Sequence, residues 1–239
     1  MMKNQYFGDV RDLFKYDLCL ELLINTHIKK LVFIPMLTPN DSSKDGRHIN
    51  YEKAKAGYLR KNLVDFLSKC VKQGKRDISM LKVFFEKFNK ENLLNQKIDL
   101  YIHKEGQYLS NQDREEHFND IPKELLESSL ILIDPDNGLE VKSKTKMEKY
   151  LRYSELKALF EQMDKSSVIM VFQYIPRIKR HNYFETLKQK IEKELNNPFI
   201  LYVSDNRVVF FIIAKDNELY KLTKNVIKKY ARTYDLLYN

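Results

Sequence analysis

Among the residues able to do chemistry, Asp134 stands in the most informative setting, the run Leu130-Ile131-Leu132-Ile133-Asp134-Pro135-Asp136-Asn137-Gly138. An acid delivered at the end of an apolar run, with a proline fixing the backbone behind it, is a rigid hydrogen-bond acceptor wherever that run opens into a cleft. Asp136 could chelate a divalent cation together with Asp134, while Asn137 and Gly138 could equally serve only to close the turn. A wider pool of acids comprises Asp9, Asp41, Asp45, Asp134, Asp136 and Glu140. Two or three of them could hold Mg²⁺ beside phosphate oxygens, with Arg177 or Lys179 stabilising charge, which is the chemistry of a metal-dependent nucleic-acid hydrolase. Cations form the second set. Arg177, Lys179 and Arg180 follow an apolar run, and Lys221, Lys224, Lys228 and Arg232 recur at three- and four-residue steps. Both groups could track a phosphate backbone, with Tyr183 and Tyr230 stacking or packing nearby, although a charged helix face is most often simply solvated.

Other chemistries find no support. No Ser-His-Asp signature, phosphate-binding Walker loop or zinc-ligand spacing occurs, and His27, His48, His103, His117 and His181 are scattered as surface or capping residues would be. Cys19 and Cys70 each sit among apolar residues at helical spacing, which predicts buried thiols in a reducing compartment.

These residues need elements to position them. Leu13, Tyr16, Leu20, Leu23 and Ile24 recur at helical spacing and predict a helix over 12–25, with Asp12 at its first turn. Leu31-Val32-Phe33-Ile34 reads as a buried strand cut off by Pro35, and the stretch 38–46 is dense in turn formers. Apolar spacing then predicts a helix over 51–70 that stops at Gly74, a shorter helix over 80–88 and a strand over 98–102. The polar stretch 104–122 has no clear period and reads as an excursion or lid. Strands at 130–133 and 168–172 alternate with helices at 150–160 and 183–195. Strands apolar on both faces must be covered on both sides, which crossover helices between parallel strands achieve. Phe199-Ile200-Leu201-Tyr202-Val203 and Val208-Val209-Phe210-Phe211-Ile212-Ile213 are separated by four turn-tolerant residues, as in an antiparallel hairpin, and a last helix follows over 217–236. The fold class expected is α/β, with a mostly parallel doubly wound sheet and a C-terminal antiparallel hairpin, built as one Rossmann-like domain over 1–239. In such sheets ligands bind beyond the carboxyl ends of the strands, where the loops at 38–46, 134–138 and 173–177 fall.

Composition agrees with a globular chain. Hydrophobic residues make up 43% and charged residues 31% of 239, which excludes disorder and collagen. The net charge of +9 favours polyanionic partners without identifying one, and the frequent Lys, Asn, Ile and Tyr also match a coding bias toward AT-rich codons. No apolar run is long enough to span a bilayer, and residues 1–9 lack the apolar core of a secretory signal. The expectation is a soluble cytoplasmic protein with no membrane partner.

The Asp134-Pro135 tip resembles the fourth motif of class I S-adenosylmethionine-dependent methyltransferases, in which Asp-Pro-Pro-Tyr or a relative receives an exocyclic amine. Phe7-Gly8-Asp9-Val10, followed by Lys15-Tyr16, is similar to the Ala-Asp-Val and Lys-His pattern that opens the ribosomal RNA adenine methyltransferases, and the terminal hairpin is similar to the last two strands of that fold. The resemblance implies a nucleic-acid-directed protein that methylates a base amine, with S-adenosylmethionine as cofactor. Asp134, Asp136 and Asn137 would form the catalytic motif. Asp9, Lys15 and Asp41 would lie beside the cofactor, Lys15 holding the amino-terminal segment near the cleft. Met36-Leu37-Thr38-Pro39, Asp45-Gly46, the 134–138 turn and Tyr174-Ile175-Pro176-Arg177 also resemble a family of bacterial and phage-associated proteins, a likeness that brings no activity with it. Two departures from the methyltransferase pattern stand out. The first strand runs into Phe33-Ile34-Pro35-Met36-Leu37 with no glycine, where the family has a glycine-rich cofactor turn. Asp136-Asn137 replaces the proline and aromatic ring, so the base-stacking contact, worth about 1–3 kcal/mol, would have to come from Tyr150 or Tyr153. Loss of the glycine turn is also what a nucleic-acid-binding scaffold that kept the shape without the chemistry would show.

Overall fold

The computed structural model describes residues 3–42, 46–91, 97–141, 147–176 and 180–239. Seven α-helices, α1 (Val10–Asn25), α2 (Lys61–Lys72), α3 (Met80–Glu91), α4 (Arg114–Asn119), α5 (Tyr153–Gln162), α6 (Arg180–Glu194) and α7 (Asn217–Tyr234), lie among these residues. The strands are β1 (Lys30–Pro35), β2 (Asp99–Ile102), β3 (Ser129–Asp134), β4 (Gly138–Leu139), β5 (Tyr150–Leu151), β6 (Val168–Tyr174), β7 (Phe199–Ser204), β8 (Val208–Ala214) and β9 (Leu237–Tyr238). Seven of them form one sheet in the order β2-β1-β3-β6-β8-β7-β9, and β4 pairs with β5 apart from it.

The sheet is mixed. β2, β1, β3 and β6 are parallel neighbours, whereas β8 runs antiparallel to both β6 and β7, and β9 antiparallel to β7. Successive side chains of a strand point to opposite faces, so each apolar strand feeds two cores. Leu31, Phe33, Leu130, Leu132, Met170 and Phe210 pack beneath α1, α2, α3 and α7. Val32, Ile34, Ile131, Ile133, Val171 and Phe211 pack beneath α4, α5 and α6. At about 25 cal/mol per Å² of apolar area removed from water, these paired cores are the main favourable term holding the three layers together.

Several sequence expectations need correction. The apolar spacing over 51–70 does not give one helix: 51–53 is a single 3-10 turn and α2 begins only at Lys61. Gly57 intervenes at φ +83°, and a Cβ on it would lie 2.7 Å from Leu13 Cγ, so the chain bends tightly against α1 there. The helix read over 150–160 starts at Tyr153, because Tyr150 and Leu151 form β5. The excursion at 104–122 carries α4, whose Arg114, His117 and Phe118 are buried. Arg114 donates to both carboxylate oxygens of Glu155, at 2.7 and 2.6 Å, and fastens this segment to α5. Cys19 and Cys70 are buried free thiols, and among the described residues no helix is long and apolar enough to cross a membrane.

The functional consequence lies between β1 and β3. From β1 the chain leaves through α2 and α3 on one face of the sheet, and from β3 it leaves through α5 on the other. The connections thus diverge beyond the carboxyl ends of these two neighbours, where Pro35 stands opposite Asp134 in register. In open α/β sheets this divergence leaves a crevice for ligands.

Candidate ligand site at the carboxyl ends of β1 and β3

α1 enters this rim at its amino end. Asp9 is its N-cap and accepts hydrogen bonds from the backbone of Arg11 (2.8 Å) and Asp12 (3.0 Å), so the cap lies three residues before the one read from sequence. Asp12 is thereby free to turn inward, where it and Lys15, three residues apart, share one helix face. The Lys15 ammonium donates to Asp12 Oδ1 at 2.7 Å and, across 119 residues of chain, to Asp134 Oδ2 at 2.6 Å. All three side chains are buried, Asp134 to 2% exposure. The Tyr16 and Phe172 rings lie 5.3 and 5.6 Å from the Lys15 nitrogen and keep water away from the pair.

The electrostatics are unbalanced. Asp9, Asp12 and Asp134 are three buried acids around one buried lysine. Burial pushes the Asp134 carboxyl up from the ordinary aspartate range, against the pull of Lys15. Burial alone would lower Lys15, but Asp12 and Asp134 outweigh it and hold the ammonium charged. Burial, reinforced by Asp12, also raises Asp9. Next to them the Tyr16 hydroxyl is fully enclosed and makes no hydrogen bond to any described residue, with its pKa pushed up by burial and by the same acids. The second Asp134 oxygen, Oδ1, likewise accepts no hydrogen bond from a described residue. A buried cluster with surplus negative charge and spare acceptor capacity is suited to a ligand that donates hydrogen bonds.

Asp136 faces elsewhere. It is fully buried, and its Oδ2 meets the Lys149 ammonium at 2.9 Å and the Thr38 hydroxyl at 3.3 Å. The two aspartates of this turn therefore engage different lysines, and no three His, Cys, Asp or Glu side chains gather as a metal ligand set among the described residues. Asn137 takes part through its backbone, its N–H donating to Lys149 O at 2.8 Å. Gly138 follows at φ +116°, with Gln173 so close that a Cβ would lie 2.3 Å from Gln173 Oε1. That oxygen accepts from the Leu139 N–H at 2.8 Å, and Gln173 Nε2 donates to the Tyr183 hydroxyl at 3.0 Å. The turn after Asp134 is therefore braced by β6 and α6.

Other residues singled out from sequence are dispersed. Asp41 is exposed and tied to Lys3 and to Gln5 of the amino-terminal segment. Glu140 accepts from the backbone of Tyr153. Lys221, Lys224 and Lys228 are exposed on α7, with Lys221 paired to Glu218 at 2.7 Å and Lys224 resting 5.6 Å from the Tyr220 ring centre. Tyr230 is buried and donates to Asp17 Oδ2 at 2.8 Å, so it packs and does not stack on a ligand. Tyr150 and Tyr153 are half-buried, the Tyr153 hydroxyl being enclosed without a partner among the described residues. His103 and His117 are buried against each other with ring centres 4.8 Å apart, contrary to the surface placement read for them. Arg177, Lys179 and Asp45 lie outside the described residues, as do the side chains of Arg180 and His181.

The turn after β1 gives no cradle of the glycine kind. Met36 and Leu37 are fully buried and anchor in opposite cores, so side chains fill the place where a glycine-rich turn would let backbone approach S-adenosylmethionine. The residues there do not fit that cofactor in the manner the resemblance implies. Sequence reading missed Asp12 and Lys149 as members of the rim and gave Thr38 and Tyr16 no role of their own there. The three-residue spacing of Asp12 and Lys15 was a usable signal, whereas Thr38 and Lys149 reach Asp136 only through the tertiary fold. No protein-family model matches the chain, and no curated protein matches it either.

Proposed function

We propose that the rim formed by β1, β3 and α1 recognises an exocyclic amine of a nucleic acid base, with Asp134 as its acceptor, in a Rossmann-like protein of the methyltransferase-like kind. The observation that carries this reading is the Asp134 carboxylate at the switch point, with one oxygen fixed by Lys15 and the other accepting nothing from described residues. Lys15 pulls against the burial that raises this acid and fixes its rotamer, so Oδ1 is a preorganised acceptor for an amine N–H. Supporting features are the antiparallel hairpin appended to a parallel half-sheet and the net charge of +9, which favours a polyanionic partner. Amine recognition is the part the geometry supports; no transfer step is derived, because the turn after β1 does not fit the methyl donor's glycine cradle.

A hydrogen bond to a charged acceptor is worth about 1.5–3 kcal/mol, or roughly tenfold to a hundredfold in affinity. Calorimetric titration with a single-stranded oligonucleotide containing one adenine, and with the same strand carrying purine without the amine, tests the reading. The wild type should prefer adenine by about tenfold or more, and Asp134→Asn should abolish the preference while leaving the fold intact. Equal affinity of the wild type for the two strands removes Asp134 from recognition. Titration with S-adenosylmethionine then separates a methyl-transferring protein from a binding scaffold.

A further inference from the structure

The same rim carries a second feature, a pocket of about 300 Å³ beside the start of α1, lined by Val10, Arg47, His48, Asn50, Lys53 and Arg207 together with Ile49. No acid lines it. The cations there differ from those elsewhere on the rim: Lys3, Lys15 and Lys149 are each paired with an aspartate, while the side chains of Arg47, Lys53 and Arg207 make no ion pair or hydrogen bond with any described residue. Like charges gathered in a concavity repel, and an anion seated among them relieves that repulsion.

The pocket is built on fixed backbone. Arg76 donates to Phe7 O at 2.8 Å and to Gly46 O at 2.6 Å, the Tyr51 hydroxyl donates to Gly8 O at 2.5 Å, and Val10 N–H donates to His48 O at 2.8 Å. Arg207 is delivered from the β7–β8 turn, where its carbonyl accepts from Ile175 N–H at 3.0 Å. The first amides of α1 are already engaged, by His48 O and by Asp9, so a ligand would be held by side chains and not by the helix end. Three cations with a histidine and an amide side chain match the several oxygens of a phosphate group. Arg207 stands at the carboxyl end of β6, the parallel neighbour of β3, and Val10 opens the helix that carries Lys15, so the pocket and the Asp134 acceptor open on one rim.

We propose that this pocket holds a backbone phosphate of the nucleic acid strand whose base reaches Asp134, an inference that rests on the reading of Asp134 as amine acceptor. The experiment is fluorescence-anisotropy titration of the full chain with a labelled single-stranded oligonucleotide over a range of salt concentrations, with adenosine monophosphate as competitor. Arg47→Ala/Arg207→Ala should weaken binding at least tenfold and flatten the slope of log K against log salt by about 1.4, two single-strand contacts at about 0.7 each. Lys221→Ala/Lys224→Ala, which removes the same charge from α7, should leave the slope unchanged. An unchanged slope in the pocket variant, an equal loss in the α7 variant, or no binding by the wild type overturns the proposal. Competition by the mononucleotide as tight as that of the strand assigns the pocket to a free nucleotide and likewise overturns the strand reading. If Asp134→Asn retains the amine preference while the pocket variant loses its slope, the acceptor reading fails and the phosphate site stands.

Discussion

The two ends of β3 hold aspartates in opposite circumstances. At the amino end, Asp164 gathers the Ser166 hydroxyl at 2.5 Å, the Ser167 hydroxyl at 2.6 Å and the Ser128 N–H at 3.2 Å, all neutral donors from the loops that start β3 and β6. Partial burial would raise this carboxyl, but the hydroxyls and amides outweigh it and hold it below the ordinary range. At the carboxyl end, Asp134 meets the Lys15 ammonium of α1, and burial outweighs its pull. One rim is settled by local hydrogen bonds and serves to terminate strands. The other keeps a charge imbalance that Lys15 offsets from α1, the condition under which a ligand has something to gain.

The comparison breaks most visibly if Lys15 proves dispensable. Lys15→Met strands two buried carboxylates and should lower the unfolding free energy by about 3–5 kcal/mol, measured by urea denaturation. Adding Asp134→Asn to that variant should recover part of the loss, and no recovery would mean that the charges are not coupled. A smaller effect, about 1–2 kcal/mol, is expected for Asp164→Asn, which weakens bonds to an ionised acceptor at a partly exposed site. Its pH dependence sharpens the contrast. Asp164, lowered in the fold, contributes stability that is full above about pH 4 and is lost as pH falls through its folded value. Asp134, raised in the fold, runs the other way: its contribution is present below the unfolded value and is lost as pH rises through the folded one. Wild-type minus variant stability should therefore shrink on acidification for Asp164→Asn and grow for Asp134→Asn. Smallest of all, Arg207→Ala should change stability by less than about 0.5 kcal/mol, because the exposed side chain makes no hydrogen bond or ion pair with any described residue.

Much of this architecture was legible because β1, β3, β6, β7 and β8 are continuous apolar runs that only a sheet covered on both sides can use. Asp134 was legible for the same reason, standing where such a run stops against a proline. The segment 51–58 misled because Tyr51, Ala54 and Ala56 are buried without belonging to an α-helix; apolar spacing records burial, and the bend at Gly57 supplies it by another route. The strands β4, β5 and β9 are two residues long, too short for any period to register. Least legible were the partnerships. Lys15 had its spacing to Asp12, but nothing local distinguishes Lys149 from the other lysines, and which acid of the turn each meets is decided by strand order and register. The pocket of Arg47, His48, Lys53 and Arg207 draws on segments more than 150 residues apart, so its components look like ordinary surface charge in the sequence.

Gly138 gives the rim an uneven tolerance to change. Any larger residue there would displace Gln173, and with it the contacts that fasten the turn to Leu139 and Tyr183. Asn137, engaged through its main chain, leaves its side chain available for replacement. A lineage could thus vary the surface chemistry beside Asp134 one position at a time while Gly138, four residues beyond it, stayed frozen, so selectivity could drift with no loss of the loop's shape.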